Sequence, residues 1–80
     1  MNKIKNYKDL ITEVKLIKAN YHIFRTPLKY TKKLCNNVYS KKEFRTKAFI
    51  LISDYYSNGV DINNLTGMLH IYSKEDSNKK

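Results

Sequence analysis

Tryptophan is absent, cysteine and proline occur once each, and glycine occurs twice in 80 residues. A lone Cys35 closes no disulfide within the chain. Two glycines and one proline are too few for the succession of tight turns in a small sandwich or barrel, so helices are expected. A chain this short has room for one small domain, whose core depends on good helix packing. Long apolar runs are also missing: the longest, Ala48 to Ile52, falls far short of a bilayer span. Asp9, Glu13, Lys15 and Lys18 interrupt the first apolar segment, so no signal-peptide core is read there. The expected compartment is a reducing cytoplasm, with no membrane partner.

Acidic residues are the next scarcity, seven against sixteen Lys and Arg, for a net charge of +9. Residues 1–20 carry +3, residues 21–47 carry +7, and residues 48–80 carry −1. Positive charge concentrated in the middle of the chain attracts polyanions and releases their counterions on contact. Nucleic acid is therefore the leading partner class, and an acidic protein surface answers to the same field.

Hydrophobic spacing divides the chain into four helices. Tyr7, Leu10, Ile11, Val14, Ile17 and Tyr21 recur at intervals of three and four, which predicts a helix over 6–20 capped by Asn6, with Asp9 in its first turn. The connector YHIFRTP ends in Thr26 and Pro27, a helix start, and Leu28, Thr31, Leu34, Cys35 and Val38 continue the helix over 27–38. Ser40 and Glu43 have the spacing of a capping box that opens a third helix over 41–57. Phe44, Ala48, Leu51, Ile52 and Tyr55 form its stripe, and Phe49, Ile50 and Tyr56 widen it until the second half is apolar nearly all round, as a central helix requires. Gly59 stops that helix, and Asp61 caps a fourth over 62–71 with Ile62, Leu65, Met68 and Leu69 facing inward. The remaining SKEDSNKK has no apolar residue and reads as a disordered polar tail. The fold class is all-α: one compact four-helix domain over 1–72, with a polar tail over 73–80.

Helices two and three also have the order of a helix-turn-helix across residues 28–52. The second helix supports, NNVYS turns, and KKEFRTKAFILI presents its first turns to a major groove. Lys41, Lys42 and Arg45 begin the third helix, with Lys47 beside them, and Lys29, Lys32 and Lys33 line the second. Arg45, with its planar fork, suits a base edge, and the lysines suit phosphate. Asn36 and Asn37 add polar donors, and Tyr39 and Tyr30, off the main stripe, offer hydroxyls to sugar or phosphate. Lys32 and Lys33 occupy positions where close helix crossing wants a small residue, and a solvated basic face on an ordinary bundle is the bland alternative. A second such motif at VDINNLTGMLHIYSKED fails, because its last helix would have nothing to dock and would face phosphates with Glu75 and Asp76.

Catalytic and metal chemistry find no footing. Cys35, His22 and His70 lack the paired spacing of a metal site, and no acid and base pair or nucleophile is recognisable. No enzyme, cofactor or metal is expected. The leading reading is a small nucleic-acid-binding protein, duplex DNA favoured. It is of the kind that regulates phage, plasmid or mobile-element genes, and it would use the start of helix three, with a homodimer or a second protein needed for adequate affinity. The Lys, Asn, Ile and Tyr richness supports that setting by compositional analogy alone. The alternative is a small inhibitor or adaptor of phage anti-defence or anti-polymerase type. It would bind a protein through the basic middle and would need Tyr30, Tyr39 or Phe24 exposed as an anchor. Changing Lys41, Lys42 and Arg45 to glutamate is expected to leave folding nearly intact.

Overall fold

The computed structural model describes residues 6–20 and 28–77, and these form four α-helices with no strand among the described residues. They are α1 (Tyr7–Ala19), α2 (Leu28–Val38), α3 (Lys42–Asn58) and α4 (Ile62–Ser77). The first helix starts as its sequence asks: Asn6 is extended at its cap and its Oδ1 accepts from Asp9 N–H at 3.0 Å. The helix start read at Thr26 and Pro27, and the connector with Tyr21, His22, Phe24 and Arg25, lie outside the described residues.

Each helix packs mainly on two others, α1 on α2, α2 on α3, α3 on α4 and α4 on α1. Their directions follow from contacts near their ends. Thr31, early in α2, meets Tyr56, late in α3, across a 2.9 Å hydroxyl pair. Lys18, at the end of α1, reaches the end of α3, and Asp76, at the end of α4, reaches the junction where α2 passes into α3. Successive helices therefore run antiparallel, giving a small four-helix bundle.

Its centre is Leu10 and Val14 from α1, Leu34 and Cys35 from α2, Ala48 and Ile52 from α3, and Leu65 and Leu69 from α4. Burying each large aliphatic side chain here contributes about 1.5 to 3 kcal/mol. The polar pair of Thr31 and Tyr56 lies inside the same core, each hydroxyl answering the other. Burial raises the Tyr56 hydroxyl and the Cys35 thiol each to about 12, so both stay protonated at ordinary pH.

Both ends of α3 are held by charged side chains from other helices. At its start Lys41 is the cap residue but makes no side-chain cap bond. Asp76 does the work from α4: it accepts from Lys41 N–H at 2.8 Å, from Ser40 N–H at 2.9 Å and from Ser40 Oγ at 3.2 Å. The expected Ser40 and Glu43 capping box is therefore not made, because Ser40 turns to Asp76 and Glu43 pairs with Lys47. At the other end Lys18 Nζ donates to the carbonyls of Tyr55 at 2.9 Å and Tyr56 at 3.2 Å, two acceptors left over in the last turn. An anion at the start and a cation at the end both complement the helix dipole.

Two further expectations are corrected here. The fourth helix does not end at residue 71: residues 73–77, read as disordered tail, are its last turn and a half. Asp76 is the physical reason, since a carboxylate bonded to the α3 start anchors a segment that has no apolar residue to anchor it. Residues 78–80 lie outside the described residues. Nor is the second half of α3 buried on all sides: Ile50 is 56% exposed, while Ala48, Ile52 and Tyr56 face the core. Gly59 closes α3 as expected, with φ of 69° in the left-handed region where a side chain is strained.

Candidate nucleic-acid interface

Where α2 and α3 run side by side, Lys32 and Asn36 face Lys42, Arg45, Thr46 and Phe49 across an open groove of about 360 Å³. Residues 42, 45, 46 and 49 recur at intervals of three and four, so they share one side of α3, and residues 32 and 36 stand one turn apart on α2. The lining holds three cations, an amide, a hydroxyl and an aromatic ring, and no carboxylate. Among the described residues Lys32 and Lys42 pair with no acid.

The basic residues singled out from sequence do not all belong to this groove. Lys29 and Lys33 are exposed on α2 within one outward arc that includes Lys32, but they do not line it. Lys41 is exposed at the start of α3, where its N–H serves Asp76. Lys47 turns towards α4: its Nζ lies 3.0 Å from Glu43 Oε2 and 5.5 Å and 6.0 Å from the ring centroids of Phe44 and Tyr72. The hydrogen bond and charge of Glu43 raise the Lys47 pKa, which keeps the ammonium charged with an acid beside it, unlike the lysines of the groove.

Arg45 lines the groove and is also structural. Its Nε donates to the Tyr39 carbonyl at 2.7 Å, which pins the connector between α2 and α3 and uses one edge of the guanidinium fork. A glutamate at position 45 would break that bond, and one at 41 would put a like charge beside Asp76. The triple reversal at Lys41, Lys42 and Arg45 therefore touches two structural contacts, and Lys32 with Lys42 is the cleaner pair to change.

Tyr39 is the clearest correction. Read as a surface hydroxyl for sugar or phosphate, it is 1% exposed, and its hydroxyl donates to Leu69 O at 2.9 Å inside the bundle. Burial drives its pKa to about 12 against a lowering bond from Ser73. The pattern hid this because Tyr39 follows α2, where helical spacing no longer tells which way a side chain turns. Tyr30 is 38% exposed, but its hydroxyl donates to Glu13 at 3.1 Å. Burial first, and then this carboxylate neighbour, raises its pKa. Phe49, read from sequence as core, does pack against the core and also lines the groove; its position seven residues after Lys42 was the available signal that it shares the basic side of α3.

Among the described residues no three His, Cys, Asp or Glu side chains gather as a metal site, and no helix is long and apolar enough to cross a membrane. No protein-family model, curated protein or solved structure matches the chain.

Proposed function

We propose that this chain is a small nucleic-acid-binding protein that grips phosphates with the basic side of α2 and the start of α3. The observation that carries this reading is the convergence of Lys32, Lys42 and Arg45, with Asn36 and Thr46, on one groove without a carboxylate. Cations so placed meet phosphate oxygens while amide and hydroxyl groups fix the register. Lys29 and Lys33 extend the positive field along α2, which holds three lysines and no acid. Each phosphate neutralised releases counterions, so affinity falls steeply with salt.

The helix-turn-helix mode belongs to this proposal as its finer form. The connector of Tyr39, Ser40 and Lys41 has a suitable length, and Lys42 and Thr46 are exposed at the start of α3 for a duplex groove. A homodimer reading two half-sites would supply affinity that one short helix lacks. A regulator of transcription in a phage, plasmid or mobile element is the role this would serve. The protein-inhibitor alternative loses Tyr39, which is buried, and keeps Tyr30, which is exposed with its hydroxyl on Glu13; Phe24 lies outside the described residues.

The test compares the parent chain with the Lys32→Glu/Lys42→Glu double variant, using Lys8→Glu/Lys15→Glu on the exposed side of α1 as a control with the same change in net charge, by fluorescence anisotropy with duplex DNA, single-stranded DNA and RNA. The proposal expects the double variant to lose binding at least tenfold more than the control, as two phosphate contacts are worth on this account. Equal losses would mean that the charge acts generically.

A further inference from the structure

We infer that the α2–α3 groove takes one unpaired nucleotide of a single strand, its base laid on Phe49 and its phosphates on Lys32, Lys42 and Arg45. This deepens the nucleic-acid reading and rests on it, with a single strand in place of the duplex that the helix-turn-helix mode would take. Phe49 is half-buried and its ring forms part of the groove wall beside all three cations. Phe49 packs against the core with part of its surface and turns the rest to the groove, and a base stacks on such an aromatic surface whatever its sequence. Asn36 and Thr46 stand in the same lining and offer donors and acceptors to a base edge. A base that is paired and stacked in a duplex cannot turn into a concave cleft between two helices, and an unpaired one can. An acidic peptide would satisfy the lysines but leave the ring unused. The convex side of α3 is less suited to a polyanion: Glu43, Ile50 and Asp54 are exposed there, and Lys47 is bonded to Glu43.

The experiment uses the full chain and measures anisotropy with oligothymidylate, an abasic oligomer of the same length and charge, a duplex of the same length, free thymidine monophosphate and polyglutamate. The inference expects oligothymidylate to bind at least about fivefold more tightly than the abasic strand, the loss of one stacked base. Phe49→Leu, checked for helicity, should bring oligothymidylate down to the abasic level and leave the abasic strand unchanged. The abasic comparison on the parent chain stands even where that variant folds poorly. Equal affinity for the two strands, or tighter binding of the duplex, overturns the stacking while leaving phosphate binding intact. Thymidine monophosphate binding as tightly as the strand would overturn the strand and assign the groove to a free nucleotide. Polyglutamate binding as well as oligothymidylate, or no polymer binding at all, overturns both this inference and the nucleic-acid reading beneath it.

Discussion

Replacing Asp76 by alanine removes the acceptor for three hydrogen bonds at the start of α3, two from the N–H groups of Lys41 and Ser40 and one from Ser40 Oγ. Losing a cap side chain costs about 0.5 to 2 kcal/mol, and losing an anion at a helix start about 0.3 to 1 kcal/mol. Water can reach the freed N–H groups at this exposed junction, which places the sum near 1 to 2 kcal/mol rather than at the top of both ranges. For a domain of this size that lowers Tm by roughly 5 to 15 °C. Asp76→Asn keeps a carbonyl acceptor and should lose about half as much. Partial burial works to raise the Asp76 pKa, but the bonds from Ser40 and Lys41 and the Lys41 charge outweigh it and hold the carboxyl below its ordinary 3.8. A depressed carboxylate stabilises the fold fully above its unfolded value and loses that contribution as pH falls through its folded value. The gap between parent and alanine variant should therefore be constant at neutral pH and close in acid below 3.8. Thermal unfolding by circular dichroism across this range is the assay, and a Tm unmoved by the alanine change at neutral pH refutes the reasoning.

Other bonds give shorter tests. Thr31→Val and Tyr56→Phe each break the buried 2.9 Å hydroxyl pair and should each cost about 1 to 3 kcal/mol, while the double variant costs less than their sum. Strict additivity in denaturant melts would contradict that pairing. Lys18→Met keeps the aliphatic stem but loses both carbonyl contacts at the end of α3, for about 0.3 to 1 kcal/mol, and amide exchange should rise first in the last turn of α3. Tyr39 and Tyr56 resist ionisation to about 12 when folded. Unfolded tyrosines ionise near pH 10, so stability should fall between those values, and Tyr39→Phe should flatten the slope measured by denaturant unfolding.

Local chemistry was legible wherever the cause lay within a few residues. Asn6 bonding Asp9, Asp61 accepting from Asn63 and Asn64, and Gly59 in the left-handed region are each set by neighbours along the chain. The core stripe of Phe44, Ala48 and Ile52 followed from helical spacing in the same way. What pattern could not reveal depended on partners 30 or more positions away. Tyr39 finds Leu69, Ser40 finds Asp76, and Lys18 finds Tyr55. The candidate site divides less cleanly, since two of its deciding bonds, Lys47 to Glu43 and Arg45 to Tyr39, are local ones that the charge pattern did not rank. Its charge was plain in the sequence, but which cations converge was not: Lys47 is drawn to Glu43, Arg45 is partly committed to Tyr39, and Phe49 joins Lys32 and Lys42 only when α2 lies beside α3.

The central claim is that one groove between α2 and α3 receives phosphate-bearing polymer. Amide chemical shifts of the isotope-labelled chain, followed as an oligonucleotide is titrated in, test it most directly. The account predicts that the largest shifts fall on Lys32, Asn36, Lys42, Arg45, Thr46 and Phe49, with α1 and the outward face of α4 unmoved. Shifts centred on the lysines of α1, or spread evenly over every exposed cation, would contradict it.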